Sequence, residues 1–117
     1  MCSNDEVILM QLSDEERFAL LYTLSEQSVI LEALLDNILV SERKNTGVGF
    51  FTTAILSKPF SVGSPAKRYW ERNFEHKKMP YGGCFMVSQI EDSILEIEAV
   101  AFESTWPEPF IRDEFIH

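Results

Sequence analysis

"NTGVGFFTTAIL", Asn45 to Leu56, is where the period of this chain becomes legible. Val48, Phe50, Thr52, Ala54 and Leu56 alternate onto one face, and Phe51, Thr53 and Ile55 onto the other. Both faces are largely apolar, which predicts an interior β-strand. The two glycines before it raise the question of a phosphate-binding loop. A dinucleotide fingerprint needs a third glycine and a helix after it. Here Thr52 stands in the third place, and the surrounding residues are β-branched and aromatic. The Gly-Lys-Ser/Thr of a P-loop is also missing. Gly47 and Gly49 are therefore read as allowing a bend, a bulge or a close approach to bare backbone.

Working toward the N-terminus, Ser13-Asp14-Glu15-Glu16 spells a capping box, and Phe18, Leu21, Tyr22 and Leu24 continue it as a helical stripe. A bend over Ser25–Ser28 and a second short helix over about Ile30 to Leu35 come next. Asn37 to Lys44 then reads as extended, although the same run fits a helix. Val7 to Leu12 fits either an extra helical turn or an extended lead-in. Toward the C-terminus, Lys58–Ala66 carries Pro59 and Pro65 and reads as loop. Lys67–Lys78 reads as a short basic helix or an irregular excursion, and Pro80-Tyr81-Gly82-Gly83 as a turn. Cys84–Ile90 and Ile94–Phe102 form a hairpin around Glu91-Asp92-Ser93. The tail, with Pro107 and Pro109, cannot be a central strand and docks through Trp106, Phe110, Ile111, Phe115 and Ile116. The predicted fold class is α+β, with N-terminal helices packed on a mostly antiparallel sheet of about four strands.

At 117 residues the chain suits one domain, 1–117. The charge is uneven. Residues 1–42 hold nine acids against Arg17, residues 43–78 eight bases against Glu71 and Glu75, and residues 79–117 eight acids against Arg112, for a net −9. Such a chain repels nucleic acid over most of its surface. The basic middle either touches phosphate locally or, as the blander reading, serves as a solvated counterweight to the acidic ends. No apolar run reaches the ~20 residues of a membrane span. An acidic start with no secretory pattern predicts a cytoplasmic protein. Cys2 and Cys84 are not expected to form a disulfide there.

Chemistry is thinly represented. His76 and His117 have no metal-ligand spacing, so neither metal nor cofactor is predicted. Cys84 with His76 is the one thiol–imidazole pair, but its apolar strand predicts an inert thiol. Glu96 and Glu98 share a strand face and read as solvated, or as an acidic partner-binding surface. No catalytic residue is predicted.

Five motifs recur together in a known pattern: "LSDEER" at Leu12–Arg17, "NTGVGFFT" at Asn45–Thr52, Gly82-Gly83-Cys84-Phe85, Glu98 in the last strand, and Trp106-Pro107-Glu108. The chain resembles a family of small bacterial cytoplasmic proteins with a TGVGFFT strand and a late Trp-Pro motif. The resemblance spans roughly Leu12 to Glu108 and implies a fold, not an activity. That family tends to place glycine after the strand glutamate. Here Ala99 stands there, which puts the corresponding bend in question. In role, a small acidic α+β protein without a catalytic cluster is similar to immunity proteins of bacterial toxin systems, including contact-dependent inhibition. Those bind a toxin's C-terminal domain, often a basic nuclease.

The expected function is thus a non-enzymatic protein that neutralises a cognate toxin by direct contact. The contact is assigned to acids of the last third: Glu91, Asp92, Glu103, Glu108, Asp113 and Glu114. The alternatives are an adaptor or structural subunit acting by self-association, and a small enzyme using Glu98 or Cys84.

Overall fold

The computed structural model describes residues 9–27, 32, 34–56 and 68–116. In chain order they form β1 (Met10–Gln11), α1 (Asp14–Thr23), β2 (Ile38–Asn45), β3 (Gly49–Leu56), β4 (Tyr69–His76), β5 (Met79–Glu91), β6 (Ile94–Ala101) and β7 (Phe115–Ile116). All seven strands join one curled antiparallel sheet in the order β1-β2-β3-β6-β5-β4-β7. Hairpins link β2 to β3, β4 to β5 and β5 to β6, and β3 pairs β6 from Gly49↔Val100 to Ile55↔Ile94.

This corrects the expectation of N-terminal helices on about four strands. Lys67–Lys78 is not a helix or an excursion but contains β4, whose Trp70, Phe74 and His76 are buried while Tyr69, Glu71, Asn73 and Glu75 are exposed. Its period of two was masked by Arg72 at an inward-register place and by the density of charge around it. Pro80-Tyr81-Gly82-Gly83 is not a turn either, since β5 runs through it. The two-residue strands β1 and β7 exist only through pairing, with Val40–Leu39 and with Glu75–His76, so no local pattern announces them. Of the second predicted helix, about Ile30 to Leu35, residues 30, 31 and 33 lie outside those described, Glu32 and Leu34 are helical, and Leu35 opens a 3₁₀ turn, Leu35–Asn37. The loop expected over Lys58–Ala66 also lies outside them, as does Cys2.

Other local readings hold. Ser13 caps α1 with Oγ accepting from the Glu16 N–H (3.1 Å), while Glu16 Oε1 accepts from the Ser13 N–H (2.8 Å). Ala99 continues β6 without a bend, paired with Phe50 and Phe85. The inner face of the sheet carries Ile38, Val40, Phe50, Ala54, Leu95, Ile97, Phe85 and Val87, all buried. Across it lie α1, through Phe18, Ala19 and Leu20, and the C-terminal segment, through Trp106 and Phe115. Phe85 is the hub. Its ring centroid lies 4.8 Å from that of Phe74, 5.9 Å from Phe18, 6.0 Å from Trp106 and 5.8 Å from Phe115. Aromatic edges and faces at such spacings add to the apolar burial that holds the tail down.

The two glycines ahead of β3 have geometric roles. Gly47 has φ +84° in a two-residue turn, the positive-φ slot of a tight hairpin. Its N–H donates to Asn45 Oδ1 (2.8 Å). The turn then presents carbonyls: Val48 O accepts from the Ala101 N–H (2.7 Å) and Gly47 O from the Trp106 N–H (3.0 Å). A phosphate loop must present donors; these acceptors fasten the end of β6 and the tail. At Gly49 an added Cβ would overlap the Ala99 carbonyl oxygen, so this glycine serves a close strand approach.

Candidate partner-binding site

Glu16 is the most enclosed charge among the described residues, 2% exposed. Its carboxylate receives Arg43 Nε (2.8 Å) and Nη2 (2.7 Å), and the Thr52 hydroxyl (2.6 Å). Burial alone would raise this carboxyl. The Arg43 bonds, the Ser13 N–H and Thr52 outweigh it and hold the group below the usual carboxylate range. Both oxygens are engaged, so this knot ties α1 to β2 and β3 rather than offering a reactive group. Beside it Trp106 Nε1 donates to Glu15 Oε2 (2.8 Å), and Asn45 Nδ2 to Glu108 Oε1 (2.9 Å). Burial pushes the Glu15 carboxyl up, as do the neighbouring Glu16 and Glu108, against the Trp106 bond.

The residues considered for chemistry are kept apart. Cys84 sits opposite Asn73 and Val100 on the outer side of the sheet, and burial pushes its thiol up. His76 packs its ring against Phe115 (4.6 Å), and burial lowers its pKa. Glu98 is exposed, in register with Phe51 and Met86, and Glu96 with Thr53 and Ser88. Neither Cys84 nor Glu98 lines the clefts beside Tyr22 and Phe110, beside Glu16 and Trp106, or beside Tyr81 and Phe102. Among the described residues no three of His, Cys, Asp and Glu gather to hold a metal ion, and no helix is long and apolar enough to cross a membrane.

The six acids assigned to partner contact divide between two ends of the sheet. Glu91 and Asp92 stand at the β5–β6 turn, where Asp92 is bonded to Arg68 (2.9 Å). Glu103 lies past the far end of β6, eight strand residues or roughly 25 Å away. Glu108, Asp113 and Glu114 belong to the segment fastened at that same far end. Glu108 is held by Asn45, and Glu114 by Lys78 (3.2 Å). Arg43, Arg68 and Lys78 all pair with acids from the flanking thirds, which is the counterweight expected of the basic middle.

At the Glu103 end the structure adds a feature that sequence reasoning missed. Tyr81 (65% exposed), Phe102 (38%) and Ile116 (43%) converge on a cleft of about 380 Å³ that Glu75 also lines. The Phe102 N–H donates to Gly82 O (2.9 Å), and Ile116 pairs with Glu75, which brings three distant segments together. Glu103, at φ +55°, is the next residue after Phe102. The sequence signal was faint: Tyr81 sat in an apparent turn, Phe102 closed the last predicted strand, and Ile116 was one of the residues expected to dock the tail. An apolar centre with carboxylates beside it has the anatomy of a protein interface. Comparison with the profiles of known protein families, with curated proteins and with solved structures gives no match to this chain.

Proposed function

We propose that this is a cytoplasmic binding protein, an immunity protein that neutralises a cognate bacterial toxin by docking the toxin's C-terminal domain. The observation that carries the reading is the Tyr81–Phe102–Ile116 cleft, three exposed apolar side chains gathered beside Glu75 and Glu103. Clustered aromatic side chains of this kind supply most of the energy of an interface when they are covered. A net charge of −9 favours a basic partner, such as a nuclease domain, and speeds its approach. Within the six acids assigned from the sequence, this reading keeps Glu103, with Asp113 and Glu114 shortly before Ile116 in the chain, and gives no part to Glu91 and Asp92 or to Glu108, which Asn45 holds.

The test is co-expression with the C-terminal domain encoded immediately upstream. A one-to-one complex that spares the host is expected, and Tyr81→Ala with Phe102→Ala should weaken it at least about thirtyfold, the scale of one hot-spot residue. A full-strength complex in the double variant would place the contact elsewhere. No complex, with a harmless upstream product, would sink the immunity reading. In that case a concentration-dependent dimer in light scattering would favour the adaptor.

A further inference from the structure

We infer that the Tyr81–Phe102–Ile116 cleft recognises an arginine side chain, with the guanidinium on Glu75 and the stem across Tyr81 and Phe102. This rests on the docking reading of the cleft and adds what the partner must present there.

Strand register brings the four side chains together. Ile116 pairs directly with Glu75, and opposed residues of an antiparallel pair share a face. On the other side of β4, Phe74 pairs with Gly83 and His76 with Met79, which leaves Glu75 facing Pro80, Tyr81 and Gly82. This irregularity requires the glycine: Gly82 has φ +68°, and an added Cβ would overlap the Phe74 carbonyl oxygen. Beyond it the Phe102 N–H donates to Gly82 O (2.9 Å). The end of β6, then β5, β4 and β7, which are neighbours in the sheet, thus deliver Phe102, Tyr81, Glu75 and Ile116 to one cleft of about 380 Å³.

Charge selects the occupant. Among the described residues Glu75 is the one charged side chain in the lining. It is exposed and makes no hydrogen bond or ion pair among them, while Lys78, three residues on, is bonded to Glu114 (3.2 Å). The Tyr22 hydroxyl, also in the lining, donates to Asn73 O (2.9 Å). A purely apolar occupant would cover the Glu75 carboxylate without a partner, which is strongly unfavourable. A cationic head answers the carboxylate while its stem covers the apolar side chains. Arginine suits this better than lysine, because a planar guanidinium stacks on an aromatic face and gives a carboxylate two parallel N–H bonds. The net charge of −9 draws a basic partner toward it.

NMR titration of the full chain with N-acetylargininamide tests the site without the toxin. The amide signals of Glu75, Tyr81 and Ile116 should shift saturably. N-acetylcitrullinamide has the shape without the charge and should bind at least about tenfold more weakly. N-acetyllysinamide has the charge without the plane and should also bind more weakly. Glu75→Gln should lose about tenfold in argininamide binding and in affinity for the toxin domain, with an unchanged urea midpoint. The inference is overturned if argininamide leaves those amides unmoved. It is equally overturned if the citrulline or lysine probe binds as well, or if Glu75→Gln titrates like wild type. A toxin complex weakened by Tyr81→Ala with Phe102→Ala but untouched by Glu75→Gln also overturns it, and spares the docking reading. A Glu75-dependent argininamide response with no toxin complex upholds the arginine site and removes the toxin as its source.

Discussion

Glu16→Ala is the most informative single change. It deletes a carboxylate that receives Arg43 twice, the Ser13 N–H and the Thr52 hydroxyl. Thr52 is fully buried, so its hydroxyl would be left without an acceptor. Removing one partner of a buried ion pair costs about 3–5 kcal/mol. Arg43 is 36% exposed and can turn toward water, which places the expected loss at the low end, about 3 kcal/mol. With a urea m-value near 2 kcal/mol/M, the unfolding midpoint should fall by about 1.5 M. A double-mutant cycle of Glu16→Gln with Arg43→Met isolates the pair and should return a coupling of about 2 kcal/mol. The pH dependence carries a sign. Glu16 is held below its unfolded value of about 4.3, so its contribution is present above that value and is lost as pH falls through the folded pKa. The gap between wild type and Glu16→Gln should therefore narrow in acid. A loss under about 1 kcal/mol for Glu16→Ala, or a coupling near zero, would refute the view that this knot fastens α1 to the sheet.

Two further expectations concern the hairpin glycines and the acid next to Glu16. Gly49→Ala should cost more than about 4 kcal/mol or abolish folding, because its Cβ meets the Ala99 backbone. Gly47→Ala has open space and only the positive φ to oppose it, so about 1–2 kcal/mol is expected in urea denaturation; the reverse order would contradict the geometry. Glu15 is raised by burial, so the folded state holds its proton more tightly than the unfolded chain does, and the ionised form costs stability above the folded pKa. Glu15→Gln keeps an acceptor for Trp106 and should be at least as stable as wild type at pH 7, with any lead shrinking as pH falls. A loss above about 1 kcal/mol would mean that the charged Trp106 bond dominates.

The amino-acid sequence by itself determined the features that short-range physics controls. The Ser13–Glu16 box, the two-residue period from Gly49 to Leu56 and the hairpin around Asp92 are written in neighbouring residues. Caps, alternation and turns need no distant partner. The tertiary structure decided the rest, because the deciding contacts span long stretches of chain. β4 is a strand because β5 supplies its ladder, and β1 and β7 exist only as edges completed by β2 and β4. Glu16, which reads as a capping acid, becomes a buried anchor only when Arg43 and Thr52 arrive from 27 and 36 residues away. The cleft between Tyr81, Phe102 and Ile116 obeys the same rule. Tyr81, Phe102 and Ile116 are unremarkable in the linear chain, and they share one surface only because the sheet and the fastened tail bring their segments together.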